Sequence, residues 1–413
     1  MADAFLDLLS ASRDAAADLG SAPSELRKQG IRAIADAIES ASDEIVAANA
    51  DDVRRGRDSG MAAGLLDRLH LDAERVQALA DAARALAELP DPVGEVLRER
   101  TLDNGLLLTQ VRVPFGVIGA IYEARPNVTV DIACICIGTG NAIVTRGGSA
   151  AESTNRVLVR VMQSALVGVG LPEKSVQTID EFGREGAGRL MTARGYVDLL
   201  VPRGSAALIE RVVTESTVPV IETGAGIVHV YVDGSADLEM ARDIVVNSKV
   251  HRPSVCNALE TVLVDRAIAD EAVPLLVQAL RDASVTVHSE GGGIADTVEL
   301  ADTGWATEHL ALDAAIRIVD GVDAAIEHVN AYGTHHTDSI VATDAAAVSR
   351  FLQRVDSAVV MHNASTRFTD GGEFGFGAEV GISTQKSHAR GPMGLPELTS
   401  TKWIVRGEGQ TRS

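Results

Sequence analysis

Three cysteines, Cys134, Cys136 and Cys256, are the side chains of this 413-residue chain whose chemistry depends most on their surroundings. An odd, sparse set with no Cys-x-x-Cys pair argues against a disulfide framework and against a zinc site; no metal is expected. Free thiols then leave two roles, core filler or nucleophile. Cys134 and Cys136 sit in the apolar run Val-Asp-Ile-Ala-Cys-Ile-Cys-Ile, where burial keeps a thiol protonated and inert. Cys256 lies in Asn247-Ser-Lys-Val-His-Arg-Pro-Ser-Val-Cys256-Asn-Ala, between a helical stretch and a β-branched one. Pro253 and Ser254 break the helix and place Cys256 on a turn or at a new helix start, where free N–H groups and a positive dipole end lower a thiol pKa. Arg252 and Lys249 add positive charge nearby, so Cys256 is the candidate nucleophile.

Basic residues stand out against a net charge of −21 and a pI near 4.9. No Lys/Arg-rich run marks a nucleic-acid-binding face, and the acidity reads as a solvated surface. Anionic ligands would then need a local basic cluster. Arg125 in Tyr122-Glu-Ala-Arg-Pro-Asn127, Arg146 in Thr145-Arg-Gly-Gly148, and Lys386, His388 and Arg390 in the Gly-rich Gly381–Gly394 are the candidates. No Gly-x-Gly-x-x-Gly follows the first strand. Pro114-Phe-Gly-Val-Ile-Gly and Glu222-Thr-Gly-Ala-Gly are weak relatives of it and fit ordinary βα turns equally well. Pro202-Arg-Gly-Ser205 ends a strand and opens a helix, a place where backbone N–H groups hold a phosphate.

The elements that position these residues change texture along the chain. The first ninety or so residues are Ala-rich with helical periodicity over Ser24–Ala48 and Leu71–Leu89, ended by Pro90 and Pro92. Glu95–Arg112 reads as two strands around Asp103-Asn104-Gly105, whose open edges call for pairing with another chain. From Pro114, β-branched runs alternate with helical ones, the mark of a parallel α/β sheet. Strands are expected at Val117–Ile121, Asn141–Thr145, Val176–Thr178, Tyr196–Val201, Val218–Ile221 and Val228–Val232, with helices at Ala151–Val167 and Gly186–Met191. A second unit begins near Asp237, with helix Asp237–Ser248, strand Ala258–Val264, helix Asp270–Ala283 and strand Val285–Ser289. A hydrophobic fraction of 46% and a charged fraction of 23% are ordinary for a globular protein, and no apolar run reaches membrane-spanning length. Met1–Ser10 carries two aspartates and no basic segment, which points to the cytoplasm.

The segments Pro114–Asp131 (PFGVIGAIYEARPNVTVD), Gly140–Ser149 (GNAIVTRGGS), Val201–Ser205 (VPRGS), Arg252–Thr261 (RPSVCNALET) and Phe374–Leu398 (FGFGAEVGISTQKSHARGPMGLPEL) together resemble the γ-glutamyl phosphate reductases, a branch of the aldehyde dehydrogenase superfamily. The resemblance runs from about Val111 to Gln410. It implies an aldehyde-dehydrogenase-like α/β fold: a Rossmann-like NADPH domain (1–93 and 114–226) lacking the usual glycine fingerprint, a catalytic domain (227–394), and a β oligomerisation arm (94–113 and 395–413). It implies reduction of glutamyl 5-phosphate to glutamate 5-semialdehyde through a Cys256 thioester in a homo-oligomer. Association with the kinase that makes the labile substrate, glutamate 5-kinase, is a further expectation.

The resemblance also distributes roles. The superfamily's oxyanion asparagine falls in the turn after PFGVIGAI, which points to Asn127, while a gap-free alignment puts Arg125 there. Arg252 becomes a partner of phosphate or thiolate. Arg146 stands where a lysine handles the adenosine ribose, and Glu308 resembles the glutamate on the nicotinamide ribose. Gly147, Gly204, Ser205, Glu222 and Gly224 fall on the cofactor side, and Arg125, Lys386, His388 and Arg390 on the substrate side. Glu222 sits where aldehyde dehydrogenases keep a hydrolytic base; a phosphate reductase has no thioester to hydrolyse, so a strand-end acid is the plainer role. Gly138 and Ser149 replace family lysines, and His251 a glutamine. The alternatives are a general aldehyde or acyl-CoA dehydrogenase with the same cysteine chemistry, and a non-catalytic scaffold on this fold.

Overall fold

A computed structural model describes residues 3–301, 304–377 and 379–412. In chain order the elements of the first part are α1 (Ala4–Ser21), α2 (Ser24–Ser40), α3 (Ser42–Asp58), α4 (Ala63–Leu69), α5 (Ala73–Ala87), β1 (Val96–Thr101), β2 (Leu107–Pro114), β3 (Val117–Tyr122), α6 (Pro126–Gly138), β4 (Ala142–Arg146), α7 (Glu152–Gly168), β5 (Val176–Thr178), α8 (Gly183–Met191), β6 (Leu199–Arg203) and α9 (Ala206–Glu215). There follow β7 (Val228–Val232), α10 (Leu238–Val250), β8 (Leu259–Asp265), α11 (Ala269–Asp282), β9 (Thr286–Ser289), β10 (Val298–Glu299), β11 (Asp313–Val319), α12 (Gly321–Tyr332), β12 (Thr337–Val341), α13 (Ala345–Arg354) and β13 (Val359–His362). Two short strands, β14 (Gly381–Ser383) and β15 (Gly391–Met393), bracket the basic loop, and β16 (Thr399–Arg406) ends the series. The chain divides into two units: Met1–Glu222 with Gly375–Gly381 and Met393–Ser413, and Thr223–Phe374 with Ile382–Pro392.

In the first unit, α1 begins at Asp3, whose carboxylate accepts the Phe5 N–H, and it buries Phe5, Leu9, Ala16 and Leu19 along one face. The single helix expected over Ser24–Ala48 is two, broken at Ala41. The parallel sheet runs in the order β5-β4-β3-β6, and β3 at its interior is buried at every position. The expected strand at Val218–Ile221 is reduced to one bridge, Leu200 with Val220. Helix α6 is apolar nearly all round because almost every residue is buried, which removes the amphipathic signature that announces a helix.

A separate antiparallel sheet, β1-β2-β16, belongs to the same unit. Gly105 takes φ +86° in the turn that joins β1 to β2. The last strand of the chain itself pairs with β2 from Thr399 opposite Pro114 to Arg406 opposite Leu107, so one hairpin edge is covered without a second chain. Val96, Leu97, Trp403 and Val405 remain exposed on this sheet.

The second unit holds a seven-stranded parallel sheet, β10-β9-β11-β8-β7-β12-β13. Its strands are apolar on both faces, as a sheet covered on both sides requires. Val230, Val232, Val262 and Val264 pack with Ala241, Val245, Leu276 and Leu280 of α10 and α11. The alternate residues Tyr231 and Leu263 pack with Ile326, Val329 and Phe351 of α12 and α13. Among the described residues no helix is long and apolar enough to cross a membrane, and no group of metal-binding side chains occurs.

Candidate active site

In the second unit, Cys256 is half-buried on a turn between α10 and β8. No helix starts there, so any activation of this thiol comes from neighbouring charge and not from a helix dipole. Gly226 explains how closely the turn is held: a β-carbon at that position would lie 1.4 Å from the Cys256 carbonyl oxygen. The Gly226 N–H donates to Glu308 Oε1 at 2.8 Å. Glu308 thus braces the segment before β7 that lies against the Cys256 turn. Gly226→Ala is expected to push the Cys256 turn outward by an ångström or more and to lower kcat at least about a hundredfold. Unchanged kcat in a folded variant would refute that contact.

Beneath this turn lies a buried ion pair. Lys249 Nζ, at the end of α10, donates to Glu260 Oε2 of β8 at 3.1 Å, and neither side chain is exposed. Burial pushes the Glu260 carboxyl up to about 7, opposed by Lys249 and by the backbone N–H groups of His309 and Leu310. Burial likewise lowers the Lys249 pKa against the pull of Glu260. Lys249 is therefore spent on Glu260, contrary to the expectation that it adds charge beside Cys256. The pair thereby ties the end of α10 to β8, the two elements that carry the Cys256 turn between them.

The charge near Cys256 comes instead from two arginines. Arg252 is exposed. Arg367, unmarked in the sequence reading, follows β13; its Nε donates to His251 Nδ1 at 3.4 Å. Burial lowers its pKa, Asp370 opposes this, and the charges of Arg252 and Cys256 both act on it. The backbone around Arg367 is fixed by the residue next to the cysteine. Asn257 Nδ2 donates to the carbonyls of Arg367 (3.5 Å) and Thr369 (2.7 Å), and Thr366 Oγ1 donates to the Asn257 carbonyl at 2.7 Å. Ser248 of α10 accepts from the Thr366 N–H.

Lys386 and Arg390 both pair with one carboxylate, Asp356, which their hydrogen bonds hold below the usual carboxylate range. His388 is exposed between them. Gly224 donates its N–H to the Ile382 carbonyl at 3.3 Å, and a β-carbon there would meet Thr384 at 2.5 Å.

In the first unit the turn after β3 carries the other candidates. Ala124 is forced to φ +36°, Arg125 takes the N-cap position of α6 without a side-chain cap, and Pro126 opens the helix. Asn127 Nδ2 donates to Asp131 Oδ2 at 3.2 Å, so the amide is oriented by an acid one helical turn on. Burial pushes the half-buried Asp131 up to about 6, with Asn127 and Arg203 acting the other way. Because that folded value exceeds the ordinary aspartate value of about 3.9, the stabilisation is fully present below about 4 and lost as pH rises through about 6. Asp131→Asn is expected to remove about 1–2 kcal/mol of the fall in stability between pH 5 and 7, after allowance for solvent screening. Parallel curves of wild type and variant in pH-dependent denaturant melts would refute it.

Arg146 ends β4 with a buried Nε that has no partner, beside Asp180, which burial pushes up to about 6. The glycines after it are needed for close approach: a β-carbon on Gly147 would lie 2.0 Å from Asn155 Nδ2, and one on Gly148 3.1 Å from the Ala124 nitrogen. At the start of α9 the Ser205 N–H and hydroxyl already donate to Glu123, at 2.9 and 3.3 Å, and a β-carbon on Gly204 would strike the same carboxylate. An anion at this helix end must displace Glu123. Glu222 is half-buried, and burial and then Glu210 raise its pKa. Cys134 and Cys136 are buried in α6, and burial pushes both thiols far up, as expected of core residues.

A cysteine on a turn ahead of a parallel-sheet strand, with βα turns that lack a Gly-x-Gly-x-x-Gly pattern, points to a class that the comparisons show. The chain belongs to the aldehyde dehydrogenase family, whose sequence profile matches residues 2–293. Within it, the chain is 62% identical to the gamma-glutamyl phosphate reductase of Clavibacter michiganensis subsp. michiganensis (strain NCPPB 382), over 100% of this chain and 96% of that protein. The crystal structure of gamma-glutamyl phosphate reductase from Thermotoga maritima superposes with a TM-score of 0.97 at 42% identity, covering 100% of both chains. An acetylating aldehyde dehydrogenase from Geobacillus thermoglucosidasius, at 17% identity and a TM-score of 0.72, shares the fold. A nicotinamide cofactor follows from the family. The orphaned Arg146 Nε at a strand end suits its anionic groups, whereas a phosphate at the start of α9 must first displace Glu123.

Proposed function

We propose that this chain reduces L-glutamyl 5-phosphate to L-glutamate 5-semialdehyde, releasing phosphate, in the proline pathway, with NADPH as reductant. The observation that carries the reading is 62% identity to a gamma-glutamyl phosphate reductase over the whole chain, with Cys256 half-buried on a turn.

The Cys256 thiolate attacks the acyl carbon, forming the S–C bond and a tetrahedral oxyanion. The oxyanion is met by backbone N–H groups at the turn and by the Asn127 amide, with Arg125 the alternative at that place. Collapse breaks the C–O bond to phosphate, whose charge Arg252 helps to accept, and leaves a thioester. A reduced nicotinamide, when bound, would supply the hydride that the thioester carbon accepts. Arg146, Gly147, Gly204, Ser205, Glu222, Gly224 and Glu308 are assigned to hold that cofactor. The thiohemiacetal oxyanion then expels the Cys256 thiolate and yields the aldehyde. Arg125, Lys386, His388 and Arg390 are assigned to the substrate; the sharing of Asp356 by Lys386 and Arg390 makes that carboxylate the group to be displaced. The apolar face of β1-β2-β16 is assigned to contact with a second copy, in a cytoplasmic homo-oligomer that associates with glutamate 5-kinase.

The test is steady-state oxidation of glutamate 5-semialdehyde with NADP⁺. Turnover that requires inorganic phosphate supports the reading. Turnover that requires CoA, or neither, moves the chain to the other aldehyde dehydrogenases.

A further inference from the structure

We infer that Arg367 is a catalytic residue of this reaction, receiving the phosphate as it leaves the acyl carbon and serving as the residue that selects acyl phosphates over other activated acyl groups. The inference rests on the proposed reaction and deepens it. Three observations on one short segment carry it.

First, Arg367 lies on the segment held by Asn257, the residue after Cys256, in an otherwise acidic chain. Its guanidinium donates to His251, and its charge is felt by Arg252 and Cys256. Arg252 and Arg367 oppose one another there, with Asp370 and Glu373 acting the other way on Arg367. Second, the segment is fixed in register with the nucleophile. Asn257, adjacent to Cys256, clamps the Arg367 and Thr369 carbonyls, Thr366 returns a hydrogen bond to Asn257, and Ser248 accepts from the Thr366 N–H. A side chain that merely covered surface would not need four bonds tying its backbone to the cysteine turn and to α10. Third, the chemistry decides which anion it meets. In a γ-glutamyl phosphate the phosphorus is one oxygen from the carbon under attack, whereas the α-carboxylate lies at the far end of the carbon chain. A cation held close to the attacking sulfur therefore meets phosphate, and the planar guanidinium fork matches two phosphate oxygens. As the C–O bond breaks, the electron pair passes to the phosphate oxygen, and Arg367 meets that charge as it grows.

The tests are Arg367→Gln and Arg367→Lys in the phosphate-dependent oxidation of glutamate 5-semialdehyde, alongside wild type. The KM for inorganic phosphate should rise about ten- to a hundredfold in R367Q, the range for one lost charge-assisted hydrogen bond, and by less in R367K. The KM for NADP⁺ should stay within about twofold, since the cofactor's phosphates are assigned elsewhere. A second readout needs no turnover: inorganic phosphate should slow alkylation of Cys256 by iodoacetamide in wild type, and R367Q should need correspondingly more phosphate for the same protection. If R367Q does not fold, R367K decides, because it keeps the stem and the charge but loses the fork. A KM for phosphate within twofold of wild type in the folded variant overturns the assignment of Arg367 while leaving the reaction standing. A wild type with no phosphate dependence overturns the reaction itself.

Discussion

Replacing Cys256 with alanine should abolish reduction of the acyl phosphate, lowering kcat by at least about 10⁴-fold, because no other described group replaces the covalent route. Cofactor affinity should stay near wild type, since none of the groups assigned to the cofactor is altered. Fluorescence titration with NADPH measures that directly. Cys134→Ala and Cys136→Ala are the controls. Both thiols are fully buried within α6, held protonated by burial, so these variants should lose stability and keep kcat within about twofold. Residual activity of C256A above about one percent, or a large loss of kcat in C134A, would place the nucleophile elsewhere.

The second large effect concerns Lys249. Lys249→Met leaves Glu260 buried without its counter-charge, an arrangement that costs about 3–5 kcal/mol. Glu260 is already pushed up to about 7 by burial, and loss of the ammonium raises it further. A raised carboxyl stabilises the fold below its unfolded pKa and ceases to do so as pH rises through the folded value. The cost of K249M should therefore shrink as pH falls from 8 to 5, and thermal melts across that range should converge on wild type at the acid end. The double variant Lys249→Met with Glu260→Leu removes both charges and should recover stability to within about 1 kcal/mol. It should not recover turnover, because the pair ties the end of α10 to β8, the two elements that carry the Cys256 turn between them. Full activity in a stable double variant would show that the pair is only a packing solution.

The contrast between Lys249 and Arg367 shows how far one chain's letters reach. The β-branched runs at Val117 and Val228 and the Pro-Ser break before Cys256 are local signals, and each element they mark is present. Lys249 read as a free cation because its partner, eleven positions on, is linked to it only by the packing of α10 against β8. Arg367 passed unnoticed because the bonds that bring it to Cys256 span some 110 positions and run through backbone carbonyls, which carry no side-chain signature. The glycines told a similar story. Gly147 reads as a cofactor-side residue by resemblance, and the nearest atom to its missing β-carbon belongs to Asn155. At Ser205 the helix N-terminus reads as a place for a phosphate, and the Glu123 carboxylate accepts its N–H. Helix α6 escaped the periodicity reading because it is buried all round, and Val218–Ile221 looked like a strand because its residues are β-branched while only Val220 makes a bridge.

The most direct measurement is a single turnover of enzyme with glutamate 5-semialdehyde and NADP⁺ in the strict absence of phosphate, quenched in acid and followed by peptide mass spectrometry. One equivalent of NADPH should form together with a glutamyl adduct on the Cys256 peptide, and added phosphate should discharge the adduct and restart turnover. Continued NADPH formation without phosphate, or an adduct on any other residue, would contradict a Cys256 thioester resolved by phosphate.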